Sequence, residues 1–215
     1  MKTPPGYSRR QLAALAGIVA LGSAATIALR RSRLPGVDIG DEPIAARVLG
    51  ETRSPRWALA GSDVNVAVFT DYRCPVCRSS DAALMSAARR DGHVTILFKE
   101  WPIFGDASRR AAIAALAAAR QDLYVPIRKA LLAAPDLSLN RMERIVELAG
   151  GAWSPIADEV TSPGEAISAI LRRVQEEALA LGLAGTPAYL IGPVLVEGAL
   201  SESELVDLFA RVREG

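Results

Sequence analysis

The sequence predicts an α/β fold: a small mixed sheet interrupted by an inserted α-helical domain and preceded by an N-terminal transmembrane or signal segment. Three observations carry that prediction. The run Val64-Asn-Val-Ala-Val-Phe69 alternates and is rich in β-branched residues, and an unbroken helical stretch, Arg78 to Arg90, follows it. Near the other end, two short apolar runs flank Gly192-Pro193 and lead into an amphipathic stretch. Between these regions lie several apolar stripes at helical spacing.

The elements are justified in order. Ala82, Leu84, Met85 and Ala88 give the first helix its apolar positions. Asp106 to Gln121 is a strong helix former, with Ile113, Leu116 and Ala117 on one face. Pro126 can open another helix in its first turn, carrying Ile127, Leu131 and Leu132. Asn140 to Ala149 brings Met142, Ile145 and Val146 and is stopped by Gly150-Gly151. Glu165 to Leu181 carries Ile167, Ile170, Leu171, Val174 and Ala178. Ala188 to Ile191 and Val194 to Val196 form a hairpin, and Ser201-Glu-Ser-Glu204 is a capping box for a last helix with Leu205, Leu208, Phe209 and Val212. These stripes are core faces. The organisation expected is 1–33 as signal anchor or signal peptide and 34–61 as a tether with an edge strand or helix. Residues 62–104 and 183–215 form the sheet domain, and 105–182 the inserted helical domain.

The chemistry is concentrated in two cysteines, the whole complement of the chain, three apart in Cys74-Pro75-Val76-Cys77. They fall where a strand gives way to a helix. The first sulfur therefore lies beside unpaired backbone N–H groups and the positive end of the helix dipole, which favour a thiolate. Cys77, one turn on, is near enough to form a disulfide or to resolve a mixed one. Cys74, at the helix start, is read as the more exposed sulfur and the nucleophile. A structural bridge closing so short a loop would add little stability. Structural zinc asks for four ligands, and only His93, read as an exposed turn residue, adds to the two thiols, so no metal is expected. A redox-active dithiol remains, needing no cofactor.

Cys74-Pro75-Val76-Cys77, together with Gly185-Thr186-Pro187 before the hairpin, resembles the DsbA-like thioredoxin-fold thiol:disulfide oxidoreductases of the bacterial cell envelope. The similarity runs from about Val64 to Val212. It includes Phe69-Thr-Asp71, Phe98-Lys-Glu-Trp-Pro102 and Leu181-Gly-Leu-Ala-Gly-Thr-Pro187. It implies a thioredoxin fold with a helical insertion, a cis bond before Pro187 packed against the sulfurs, and a Thr186 backbone that faces substrate. It also implies exported proteins with cysteine pairs as substrates and a membrane redox partner, quinone-linked if the protein is a disulfide donor. Residues 34–61 are too few for the dimerisation domain of envelope disulfide isomerases, so a monomer is expected. Two departures stand out. Val68 occupies the position six before Cys74 where many relatives carry a buried carboxylate. Glu100 on the neighbouring strand is the candidate proton relay in its place, although Lys99 and Glu100 read more simply as a strand-end charge pair facing solvent. Val76 stands where strongly oxidising relatives have His.

The first 33 residues bear on location. Lys2, Arg9 and Arg10 precede an uncharged stretch, Leu12 to Leu29, which at 1.5 Å per residue spans about 27 Å, close to the hydrocarbon thickness of a bilayer. Arg30, Arg31 and Arg33 follow. An uncleaved anchor fits the full span; a cleaved signal peptide with a site at Ala24-Ala25 or Ala28 is the alternative, and Ser8-Arg9-Arg10-Gln-Leu12 partly resembles a twin-arginine signal. Either way the dithiol is expected on the periplasmic side of the bacterial inner membrane, anchored or released. The cysteine count agrees, since no third thiol is left to be trapped. The net charge of +1, with much of the Arg excess in that first segment, offers no argument for nucleic acid. Three functions stay open at this stage: a disulfide donor, an envelope reductant serving a haem- or copper-maturation target, and a non-enzymatic Cu(I) chaperone.

Overall fold

Parallel pairing of two buried strands organises the chain in the structure, a computed structural model that describes residues 34–214. β3 (Val64–Thr70) pairs in register with β4 (Val94–Glu100), from Val64 opposite Val94 to Thr70 opposite Glu100. A parallel pair needs a crossover, and α2 (Pro75–Asp91) supplies it, ending at Gly92 in the left-handed region at φ 81°. On its other side β3 pairs antiparallel with β5 (Ala188–Ile191), which turns into β6 (Val194–Glu197). Being flanked on both sides, β3 is buried along its length except at Asn65. With β1 (Val37–Asp38) and β2 (Arg56–Ala58) on the two edges, the sheet order is β1-β6-β5-β3-β4-β2. The segment read as a tether is thus built into the sheet: Val37 pairs with Leu195 and Trp57 with Ile96, and α1 (Pro43–Leu49) lies between the two edge strands in sequence.

Side chains of the sheet alternate between two faces. On one, Ala67, Phe69, Leu97 and Leu190 meet Ala45 and Val48 of α1 and Val174 and Ala178 of α7 (Glu165–Ala180). On the other, α2 and the last helix, α8 (Glu202–Glu214), pack together. The predicted capping box is formed, the Glu204 carboxylate accepting the Ser201 N–H at 2.8 Å and Ser201 Oγ accepting the Glu204 N–H at 3.3 Å. Between β4 and β5 come α3 (Asp106–Ala118), α4 (Tyr124–Ala133), α5 (Leu139–Leu148), α6 (Ser154–Thr161) and α7. α3 was expected to bury one face. Instead every residue from Ala111 to Ala118 is buried, because small alanines let α4 and α6 approach it from different sides. α6 has too short a stripe to be recognised in the sequence. α4 begins two residues before Pro126, which therefore sits inside the first turn, where a missing N–H breaks no helical bond. The transmembrane or signal segment, 1–33, lies outside the described residues. Among the described residues no helix is long and apolar enough to cross a membrane.

One expectation fails here. Lys99 and Glu100 do not face solvent; they are 0 % and 1 % exposed. Pairing in β4 continues through Glu100, and helices cover both faces, so alternation sends the two charges to opposite sides of the sheet. Lys99 Nζ meets Glu177 of α7 at 2.9 Å and Glu51 at 3.5 Å. Burial alone would raise the Glu51 carboxyl, but hydrogen bonds from Ser54 and Arg53 and the Lys99 ammonium outweigh it and hold the group at about 2. A buried ammonium is tolerable only while it is paired. Glu177→Ala leaves Lys99 with the longer contact alone, and the expected outcome is a loss of about 3–5 kcal/mol in urea unfolding at neutral pH. An unchanged midpoint would show that the ion pair adds nothing to the fold.

Candidate active site

β3 ends at Thr70, and the next residue, Asp71, builds the turn that positions the thiols. Its carboxylate is fully buried and accepts four hydrogen bonds: from Arg73 N at 2.6 Å, Ser108 Oγ at 2.6 Å, Ile103 N at 2.7 Å and Phe104 N at 2.9 Å. One side chain therefore ties the loop before α2 to the loop after β4. The Asp71 carbonyl also accepts the Cys74 N–H at 3.2 Å. Cys74 then falls at the cap of α2, in extended conformation (φ −67°, ψ 115°), with Pro75 opening the helix. Its Sγ accepts the Cys77 N–H at 3.3 Å, filling the role that a Ser or Asp oxygen fills at other helix starts.

The Thr186–Pro187 peptide is cis, and the Thr186 carbonyl accepts the Cys74 thiol at 3.2 Å. The Thr186 hydroxyl is buried without a hydrogen-bond partner and sits beside Cys77. Both thiols are free. Exposure does not separate them, contrary to expectation: Cys74 is 3 % and Cys77 2 % exposed, because the Thr186-Pro187 loop covers the helix start. Environment does separate them. Burial pushes the Cys77 thiol up to about 12, a shift that the Asp71 backbone and the Thr186 hydroxyl reduce without cancelling. Around the dithiol the surface is apolar and basic. Val76 is 43 % exposed, Ile103 and Phe104 are exposed, and Arg73 Nη1 donates to the Phe104 carbonyl at 3.0 Å. A groove of about 680 Å³ runs off past Arg73, Pro75, Arg78 and Leu137.

Beneath Cys77 lies a gap too small for a water molecule, lined among others by Val68, Thr70, Asp81, Arg128, Pro187 and Tyr189. Glu100 does not line it. Its Oε1 accepts the Tyr72 hydroxyl at 2.7 Å and the Tyr124 hydroxyl at 2.5 Å, and its Oε2 has no partner. Burial pushes the Glu100 carboxyl up to about 7, against the pull of Arg128 and the two tyrosines. Arg128 is itself buried, ion-paired with Asp81 and stacked on Phe98, 4.4 Å from the ring centre. Asp81 and Arg128 were not singled out in the sequence, and Asp71 was noted only as the end of Phe69-Thr-Asp71, without a role. Asp81, four residues after Cys77 on a helix, was within reach of a spacing argument; Arg128 was not. Among the described residues, no group of three or more His, Cys, Asp and Glu side chains is placed to hold a metal ion.

A thiol that caps a helix, a second one turn away and a carbonyl facing the first form a site for thiol–disulfide exchange carried on a thioredoxin-like sheet. The model of the family described as Thioredoxin matches residues 60–209, and the chain belongs to that family. With its paired cysteines it is a thioredoxin-like thiol:disulfide oxidoreductase. Among solved structures it is similar to a thioredoxin-like oxidoreductase from Silicibacter pomeroyi DSS-3, at 29 % identity over 79 % of this chain and 98 % of that one, with a TM-score of 0.74. The fold is shared with a periplasmic thioredoxin-like protein from Salmonella enterica serovar Typhimurium (23 % identity, 81 % and 98 % covered, TM-score 0.72). It is shared too with the thiol-disulfide exchange protein alpha-DsbA2 from Wolbachia pipientis (24 %, 88 % and 97 %, 0.72). No curated protein sequence matches the chain.

The raised Glu100 group carries a signed consequence. In the unfolded chain this carboxyl ionises near 4.5, whereas in the fold it keeps its proton to about 7. Between those values the native state binds the extra proton, so stability falls as pH rises across that window and levels off above it. Glu100→Gln is expected to flatten this dependence by an amount on the order of a few kcal/mol, read from urea midpoints between about pH 4.5 and 7.5. An equal slope in both proteins would remove Glu100 as its source.

Proposed function

We propose that the protein donates disulfides to exported proteins on the periplasmic side of the bacterial inner membrane, with Cys74 as nucleophile and Cys77 as resolving thiol. The observation that carries this reading is the asymmetry of the pair. Cys74 Sγ accepts a helix N–H at the positive end of α2, while burial pushes the Cys77 thiol up to about 12. In the oxidised state a substrate thiolate attacks Cys74 Sγ and Cys77 departs; a second substrate thiol then displaces Cys74, leaving both cysteines reduced and the substrate oxidised. A quinone-linked membrane protein takes the electrons. Pro75 and Val76 form the active-site loop, Thr186 and Pro187 the substrate-facing one. The apolar rim of Val76, Ile103 and Phe104 suits unfolded segments around a substrate cysteine. The charged and apolar N-terminal stretch and the periplasmic origin stated for the Salmonella protein support the location.

A reductant for a maturation target is the second reading, favoured by Val76, which cannot donate a hydrogen bond to a Cys74 thiolate. The reduction potential divides the two. The helix N–H donated to Cys74 Sγ favours the reduced dithiol, and the lack of an imidazole limits the effect. The expected potential lies between the values of about −270 mV for thioredoxin and about −120 mV for DsbA, and Val76→His raises it. A potential at or below that of thioredoxin, with no oxidation of a reduced unfolded protein, favours the reductant. Residue roles have their own test. Alkylation of the reduced protein at mildly acidic pH should label Cys74 first, and Cys77→Ser should accumulate mixed disulfides with substrate thiols. Faster labelling of Cys77 reverses the assignment.

A further inference from the structure

We propose that Asp81 is the proton acceptor and donor for the Cys77 sulfur, with Arg128 as its positioning residue. The inference rests on Cys77 being the resolving thiol. A thiol attacks a disulfide only as thiolate, and the Cys77 proton has few places to go. The gap beneath it admits no water, and Val68 offers no acid from the sheet. The one carboxylate lining that gap is Asp81. It lies four residues after Cys77 on α2, which puts the two side chains on one helical face, about 5–6 Å apart at Cβ. The Arg128 guanidinium, fixed from below by Phe98 and by Thr70 Oγ1 at 3.4 Å, pairs with Asp81 and holds it there.

A proton acceptor also needs an exit. Asp81 and Arg128 both line a second cavity as well, a cleft of about 260 Å³ between α2 and α4 with room for water, and the Asp81 side chain is 11 % exposed. Asp81 therefore has one side on the dry gap under Cys77 and the other on a wet cleft. The charged and titratable groups around it are Arg78 and Arg89 of α2, Tyr124, Arg128 and Lys129 of α4, and Tyr189 of β5, with Glu100 of β4 behind Arg128. Cations thus outnumber anions around the Asp81 carboxylate.

Starting from a Cys74–substrate mixed disulfide, the Cys77 proton passes to the Asp81 carboxylate and the Cys77 sulfur attacks Cys74 Sγ. The Cys74–Cys77 bond forms, the Cys74–substrate bond breaks, and the substrate sulfur leaves as a thiolate that takes a proton from water. Asp81 then releases its proton into the cleft. In disulfide donation the same steps run backwards. A substrate thiolate attacks Cys74 Sγ, the Cys74–Cys77 bond breaks, and the departing Cys77 sulfur takes its proton from Asp81.

The test is rapid mixing of the reduced full-length protein with oxidised glutathione, with acid quench to separate the Cys74 mixed disulfide from the finished intramolecular bond. For Asp81→Asn the expected result is an unchanged rate of mixed-disulfide formation and a resolution step slowed about 10- to 100-fold near pH 6–7. The deficit should close as hydroxide replaces the carboxylate near pH 9, and Asp81→Glu should restore part of the rate. Resolution at the wild-type rate and pH profile overturns the proposal, and so does a slowing that is equal at all pH values, the mark of a packing defect. If Asp81→Asn does not fold, the unmodified protein decides. Resolution that rises less than tenfold per pH unit between about pH 6 and 8 supports a carboxylate acceptor, and strict first-order dependence on hydroxide overturns it. Cys77→Ser, run in parallel, keeps the questions apart. Trapping with a normal Asp81→Asn profile sinks only this inference, and failure to trap sinks the role of Cys77.

Discussion

Four hydrogen bonds to one buried carboxylate hold the working end of this protein together. Asp71 follows the last residue of β3, and without its carboxylate the N–H groups of Arg73, Ile103 and Phe104 and the Ser108 hydroxyl would lose their partner inside the protein. Of these donors the Ser108 hydroxyl is fully buried, and leaving it unsatisfied costs about 1–3 kcal/mol. The loop carrying Cys74 and the loop carrying the exposed Phe104 are thus locked to the same anchor. The position of Cys74 relative to the apolar rim is set by hydrogen bonding, not by contact between the two.

From that anchor the rest of the site follows. Cys74 must lie at the first turn of α2, where its sulfur is the acceptor closest to hand for an orphan helix N–H. Cys77, one turn deeper, is carried into the layer between α2 and the sheet, where burial disfavours its thiolate. The two thiols differ because one backbone helix places them at different depths of electrostatic environment while leaving them almost equally shielded from solvent. The Thr186-Pro187 loop, brought back by the β5–β6 hairpin, completes the site by offering a carbonyl to Cys74 and a hydroxyl near Cys77.

Two buried charge clusters flank β4, one on each face. Lys99 with Glu51 and Glu177 joins α7 and the loop after α1 to the sheet. Glu100 with Tyr72, Tyr124, Arg128 and Asp81 joins α4 to the active-site helix. Adjacent residues of one strand serve opposite faces, so a single dipeptide links both halves of the helical covering to the central strands. Only the second cluster adjoins the thiols, which is why the acid of interest for proton transfer is on that side.

Much of this was legible in the amino-acid sequence. Short-range order fixes what periodicity and breakers can report: β3, α2, the hairpin, the Ser201–Glu204 cap and the long stripes of α3, α5 and α7 follow from neighbours a few residues apart. The dithiol at a strand-to-helix junction follows the same way, and with it the chemistry. What tertiary structure alone decided is how charges far apart in sequence meet. Lys99 and Glu100 read as a solvated pair because nothing nearby announces Glu177 or Tyr124. The equal burial of Cys74 and Cys77 depends on a loop 112 residues away in sequence, and the partnership of Asp81 with Arg128 on helices 47 residues apart. A buried charge is stable only with a partner, and the partner is chosen by the packing of helices onto the sheet, which no local pattern records.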